Sequence, residues 1–527
     1  MRPPGPTTTA PLVRTAVDAG AGPARPGPRT AAGTARTGPP RLTPLARAPV
    51  LGAAAAVTGL LVATSGGYGW HRDELYFRML EPAWGYVDQP PLSPFLVRTL
   101  STVVADATWA VRLPSALAIG LAVVVVALLT RELGGGRSAQ TWSAWSFATA
   151  PGPLVFGHLA VTAPIDLLAW LLVTLCAVRA LLRPAPAWWL AAGAVGGLAT
   201  YDKWLVGLLV VAGLVGLLAV GPRRELRSPW LLGGVGLALV LAAPNLAYQA
   251  VNGWPQLAMG AALGVEHATW VRPLLAPFLL VLLGPPLVAV WVAGWVALWR
   301  RPAWRPVRFV AVAFPVLVGL TWAGGAQLYY PLGLLVVLLA AGWVPVTAFL
   351  ARAHDRWRPR AVTLVAANGV VAAVVALPLL PVDALARTPV PVLSAGVADQ
   401  LGWPRYVDQV RVAVGTLDRA ERGRVVVVAE TYGLAGALNR WGTDLPPVRS
   451  GHNHLGTAGP PDEGTDVVVL AGGQLDTVRD RFGSCEVVTT LDNGLGVATA
   501  EQGDPVAVCR DPRVPWDRLW AELRHLG

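Results

Sequence analysis

The chain has 527 residues, 54% of them hydrophobic and only 14% charged. Soluble domains carry about a quarter charged residues, so this balance, with a mean hydropathy of +0.51, excludes an ordinary water-soluble fold. The formal net charge is +11, but its basic residues sit in short clusters between apolar runs. That is a membrane-topology pattern rather than a binding groove, and it excludes a nucleic-acid partner.

Residues 1–46 are rich in Pro, Gly, Thr and Arg and show no apolar periodicity, which predicts a disordered cytoplasmic tail. They lack the apolar core and cleavage site of a secretory signal, so the first hydrophobic segment is expected to remain as a span. Residues 47–381 then read as an all-α polytopic membrane domain. Its apolar runs are long enough to cross ~30 Å of hydrocarbon at ~1.5 Å per residue. They fall at 48–67, 112–130, 140–157, 164–182, 187–201, 204–220, 230–248, 273–298, 309–324, 328–350 and 361–381.

The stretch 187–220 decides the topology. As one helix it would reach ~50 Å and carry Asp202-Lys203 near its centre. As two spans it puts that pair at a membrane surface, and eleven spans place the basic clusters at 131–137, 179–183, 223–227, 300–308 and 352–360 in the cytoplasm. The expectation is a multi-pass plasma-membrane protein with long outer segments at 68–111 and 249–272. Residues 382–527 change character. Short apolar runs (425–429, 467–470, 486–490, 506–509) alternate with helix-like stretches at 404–420 and 431–440, predicting a small extracytoplasmic α/β domain. Cys485 and Cys509 fall inside it, either as a disulfide in an oxidising compartment or as two buried thiols.

Polar residues gather at the outer side. The first outer segment carries Tyr68-Gly-Trp-His-Arg72-Asp73-Glu74-Leu-Tyr76-Phe and Trp84-Gly-Tyr-Val-Asp88-Gln89-Pro-Pro-Leu. Residues 73–81 fit a short amphipathic helix with Leu75, Phe77, Met79 and Leu80 towards lipid. Asp73 can open it as a simple N-cap or serve as a base. Asp166 sits at the outer end of the fourth span, where a carboxylate needs a partner or a wet cavity. Lys203, the sole lysine, and Tyr329-Tyr330 fall at the same depth. Asp202 and Lys203 can also satisfy each other structurally. His267 lies in the 249–272 segment as a site-lining or a surface residue. No His/Cys/Asp set has metal-ligand spacing, and His452-Asn-His454 fits a structural or acceptor-binding role better than zinc. No glycine-rich phosphate loop supports a nucleotide-sugar donor. No cofactor is expected, with a divalent metal left open.

The two first-loop motifs resemble those of bacterial glycosyltransferase family 39, relatives of the protein O-mannosyltransferases and of the aminoarabinose transferase of lipid A. The resemblance extends to Gly197-Leu-Ala-Thr-Tyr-Asp-Lys203, Pro244-Asn245-Leu-Ala-Tyr-Gln249, Gln327-Leu-Tyr329-Tyr330-Pro331 and Glu430-Thr-Tyr432-Gly, across about residues 65–520. The family usually carries Ser where Asp202 stands. The resemblance implies a GT-C type fold and an inverting transfer of a sugar, mannose being one candidate. The donor would be a polyprenyl-phosphate sugar, and the acceptor a hydroxyl of a cell-envelope protein or glycolipid.

The same resemblance assigns Asp73 as catalytic base, Asp166 as its helper and Glu74 as a donor or acceptor contact. Lys203, Tyr330, Arg72 and Arg272 would bind the donor phosphate, and Tyr76, Asp88, Gln89, Tyr329 and His267 the substrates. Two other readings compete: a transporter or flippase of lipid-linked sugars, which calls for repeated, interrupted spans and mid-bilayer charges, and a catalytically silent scaffold.

Overall fold

The computed structural model describes residues 39–325, 327–353 and 356–527, all within one compact unit, so the expected tail lies outside the described residues up to position 38. Each expected apolar segment is helical, but not each is a full span. The helices are α1 (Arg47–Thr64), α2 (Arg72–Met79), α3 (Leu92–Val103), α4 (Thr108–Glu132), α5 (Arg137–Ala148), α6 (Pro151–Gly157), α7 (Ala163–Leu182) and α8 (Trp188–Ala199). They continue as α9 (Val206–Val220), α10 (Pro229–Val251), α11 (Pro255–Val281), α12 (Val288–Arg300), α13 (Phe309–Gly324), α14 (Leu332–Leu350) and α15 (Trp357–Ala376).

Among the described residues, seven helices are long and apolar enough to cross a membrane, and α11 with the segment 285–300, bent by 77°, makes an eighth candidate. This is a multi-pass membrane protein, yet the count of eleven full spans is not reproduced. The remaining three expected segments are short. Residues 140–157 break into α5 and α6 because Pro151 opens a new helix at its first position. α8 and α9 have 12 and 15 residues, below the roughly 20 needed for a perpendicular crossing. The split between them is where the sequence puts it, at Asp202-Lys203. The segment 249–272, expected as an outer loop, is instead largely the first part of α11, which Pro255 starts and which continues through Pro273 and Pro277. Neighbouring helices and local adjustment can satisfy the carbonyls that such internal prolines free.

Close packing relies on glycine. A Cβ at Gly193 of α8 would run into the Gly234 main chain of α10, and one at Gly342 of α14 into the Val290 carbonyl of α12. Small residues let membrane helices approach backbone to backbone, which gains dispersion contacts where lipid offers no hydrophobic drive.

The C-terminal region contains one five-stranded sheet of order β2-β1-β3-β5-β4, with β1 (Val425–Ala429), β2 (Val448–Arg449), β3 (Val467–Ala471), β4 (Phe482–Thr490) and β5 (Pro505–Pro512). β1 pairs in parallel with β2 and β3, whereas β5 runs antiparallel to β3 and β4. β1 and β3 are buried along their whole length, which explains their unbroken apolar sequence. Cys485 and Cys509 sit opposite each other on β4 and β5 and form a disulfide.

The sheet region is not insulated from the membrane part. Leu75, Phe77 and Leu80 are 0%, 2% and 3% exposed, in one apolar core with Trp403, Tyr406, Val410 and Leu434. The apolar face of α2 thus meets the α/β region rather than lipid. An amphipathic helix presents the same pattern to either partner, so the sequence expectation had no means to choose.

Candidate active site

Glu74 opens the site's construction. It is the third residue of α2, where its Oε2 accepts the His71 main-chain N–H at 2.9 Å while His71 Nδ1 accepts that of Asp73 at 3.2 Å. This reciprocal capping satisfies two donors that a helix start leaves unpaired. Arg112 of α4 then grips the same carboxylate in a fork, Nε to Oε1 at 2.7 Å and Nη2 to Oε2 at 2.9 Å. The Ala160 N–H adds a fourth bond at 2.8 Å. Glu74 is 0% and Arg112 2% exposed. With both oxygens used internally, the Glu74 carboxylate is a structural anchor, and the substrate contact expected for it has no free lone pair of good geometry.

On that anchor α2 presents Asp73, whose Oδ1 accepts the Tyr432 hydroxyl at 2.9 Å. The Tyr432 ring lies 4.8 Å from the Tyr76 ring and 4.5 Å beneath the Arg72 guanidinium. Tyr76 donates to Asp88 Oδ1 at 3.0 Å and accepts the His454 main-chain N–H at 3.3 Å. Burial pushes the Asp88 carboxyl up to about 7, against the Tyr76 bond that would lower it. Burial would pull the Arg72 guanidinium down, but Tyr432, Asp399, Glu501 and Asp73 around it outweigh that and hold it above its usual value. Burial keeps Tyr432 protonated, as a donor must be.

A second cluster surrounds Lys203. Its Nζ donates to the Tyr329 hydroxyl at 2.7 Å and lies 5.5 Å from the Tyr330 ring centroid, while the two tyrosine rings meet edge to face. The alternative, a direct Asp202–Lys203 ion pair, is not formed. Asp202 Oδ1 instead accepts Ser93 Oγ at 2.6 Å, and Lys203 makes no ion pair among the described residues. Asp166, at the start of α7, accepts Trp170 Nε1 at 3.1 Å and lines a small cavity with Phe156, Tyr329 and Tyr330.

The two clusters share one strand of chain. Asp88 belongs to the first, and five residues on, Ser93 and the Leu92 N–H (2.8 Å to the Tyr201 carbonyl) fasten the start of α3 to the Lys203 turn. Arg72, expected at the phosphate, stacks on Tyr432 in the first cluster. Arg272 is exposed, its guanidinium directed at the Trp322 and Ala323 carbonyls at 3.4 and 3.3 Å. His267 meets Gln327 at 3.4 Å and Glu266 at 3.8 Å.

With this geometry in place, comparison with known proteins is informative. A family model described as dolichyl-phosphate-mannose-protein mannosyltransferase matches residues 88–248. The crystal structure of ArnT from Cupriavidus metallidurans in the apo state superposes with a TM-score of 0.57 at 17% identity, covering 86% of this chain and 97% of that one. The same protein bound to undecaprenyl phosphate gives 0.53 at 17% identity, with the same coverages. The chain has the GT-C fold that ArnT shows. No curated protein sequence matches it significantly.

Within the GT-C frame, several polar residues stand at the site that the sequence reading gave no role. Tyr432 touches Asp73 from a position 359 residues away, a pairing no local pattern signals. Asn245 and Gln249, one turn apart on α10, are fully buried. Asn245 Oδ1 accepts Trp204 Nε1 at 2.7 Å and Gln249 Oε1 the Gln256 N–H at 3.2 Å, leaving their amide N–H groups, like that of Gln89, without partners among the described residues. Two amides spaced four apart in an apolar span are a legible signal in retrospect. Among the described residues no group of three or more His, Cys, Asp and Glu could hold a metal ion.

Two predictions follow from the geometry. Replacing Arg112 by Ala strands a buried carboxylate, so thermal unfolding in detergent should show a loss of roughly 3–5 kcal/mol. Unchanged unfolding would mean the pair is not the anchor. Asp88 has its folded value raised to about 7 from 3.8. The folded state therefore holds the proton more tightly, and its stability should fall as pH rises between these values and then level off. Asp88→Asn should flatten that slope in melting curves, and an unaltered slope would remove Asp88 as its source.

Proposed function

We propose that the protein is an inverting glycosyltransferase that moves a sugar from a polyprenyl-phosphate donor to a hydroxyl of a cell-envelope acceptor at the outer membrane face. The reading rests on one juxtaposition above all. A lysine ammonium hydrogen-bonded to a tyrosine hydroxyl, with no carboxylate at ion-pair distance among the described residues, is joined, through residues 88–93, to a cluster holding Asp73. Both the ArnT structure with undecaprenyl phosphate and the mannosyltransferase family model support it.

In this mechanism the acceptor hydroxyl attacks the anomeric carbon, Asp73 takes its proton, and the bond from that carbon to the phosphate oxygen breaks, releasing polyprenyl phosphate. Attack opposite the leaving group inverts the centre in one step. A lipid phosphate leaves without strong acid help, so stabilising its growing charge in a water-poor site matters most. Lys203 serves that purpose with Tyr329 and Tyr330 beside it. Asp166 borders the same cavity and is placed to orient the acceptor or share the base role. Asp88 and Tyr76 line the substrate side with Gln89. Arg72 belongs with the base, and we assign no phosphate role to Arg272. The proposed orientation puts the N-terminus in the cytoplasm and the α/β region outside, where its disulfide is at home.

Asp73→Asn should abolish transfer while expression and membrane insertion persist. The assay is a panel of polyprenyl-phosphate sugars incubated with purified protein, with products read by mass spectrometry, and wild-type rates in the variant would discard Asp73 as base. Lys203→Ala should weaken donor use by about a hundredfold, on the scale of losing one stabilising donor, and Lys203→Arg by clearly less. Equal and negligible effects would return Lys203 to a structural role.

A further inference from the structure

We propose that Tyr432 is a positioning residue for the Asp73 carboxylate, so that the α/β region completes the reaction centre. The inference rests on the base role proposed for Asp73. It starts from how tightly Tyr432 is placed. The helix Tyr432–Trp441 docks closely on α2: a Cβ at Gly436 would meet the Leu75 main chain at 2.7 Å, and one at Gly433 the Trp403 indole at 2.7 Å and Arg72 Cβ at 3.0 Å. Thr431 caps that helix, accepting the Leu434 N–H at 3.1 Å while donating to Glu501 at 2.8 Å. The Tyr432 N–H is donated to His452 Nδ1 at 3.2 Å. Burial, then neighbouring His525, pulls His452 down to about 3, so it stays a neutral acceptor.

The ring itself has neighbours on several sides: Tyr76 and His452, each at 4.8 Å, and the Arg72 guanidinium at 4.5 Å. A ring so confined gives its hydroxyl little choice but Asp73 Oδ1. That bond fixes the carboxylate's rotation and leaves Oδ2 as the oxygen free to receive the acceptor's proton. Mere stapling of two regions would need no such aim, since the glycine contacts and the shared apolar core already join them.

The charged groups facing Asp73 are Arg72 on its own helix, Asp88 from the first loop, and Tyr432 and Asp399 from the C-terminal side. Among these Tyr432 is the direct hydrogen-bond donor.

The test uses the full-length protein in nanodiscs with the donor that the panel identifies. Tyr432→Phe should lower kcat by about tenfold with donor KM and melting temperature unchanged, the scale of losing one charge-assisted hydrogen bond that aims the base. In the Asp73→Asn background it should add nothing. A normal kcat, or a kcat that falls only in step with melting temperature as for a staple, overturns the proposal. An active Asp73→Asn protein sinks both this inference and the proposed base. An inactive one beside a Tyr432→Phe variant of normal kcat sinks this inference alone.

Discussion

A single guanidinium organises the region around Asp73. Besides its fork on Glu74, Arg112 donates to the Ser65 and Gly69 carbonyls and to Gln400, and its Nη1 lies 3.2 Å from His158 Nε2. These partners come from the end of α1, the approach to α2, the turn before α7 and the C-terminal region. A buried ion pair contributes little net stability against the desolvation of its charges unless further bonds satisfy it. Here nearly every donor and lone pair is used, so its value lies in specifying one arrangement. Asp73, one residue before Glu74, inherits that placement.

The second constraint is close contact of main chains through glycine. It recurs between α8 and α10, between α12 and α14, and again where the helix Tyr432–Trp441 meets α2. In the bilayer this geometry gains the close van der Waals packing that drives helix association where no hydrophobic drive exists. At the α2 seam it does something else: Gly436 lets the helix Tyr432–Trp441 lie against the Leu75 main chain, which ties the sheet region to the helix that carries Asp73.

Much of this was legible in the residues. The break at Asp202-Lys203 follows from the cost of burying charge and from the distribution of arginines, and the four longer strands from short apolar runs. Other features were hidden for physical reasons. Length and hydropathy do not reveal that residues 140–157 fold as two short helices, and residues 255–272 carried too few polar signals to distinguish a loop from an extended helix. Glu74 was assigned with Asp73 as a site residue through the motif resemblance, yet successive helix positions point about 100° apart. One faces the cluster while its neighbour turns inward to Arg112. The Tyr432 contact depends on tertiary docking alone.

The lone lysine has a practical consequence. Across 527 residues there is one ε-amine, and it stands beside two tyrosine rings at the heart of the second cluster. Side-chain acylation or reductive alkylation therefore has a single internal address. Whatever shields or opens that address would register as a change in one labelling rate, which gives this chain a built-in chemical reporter of occupancy.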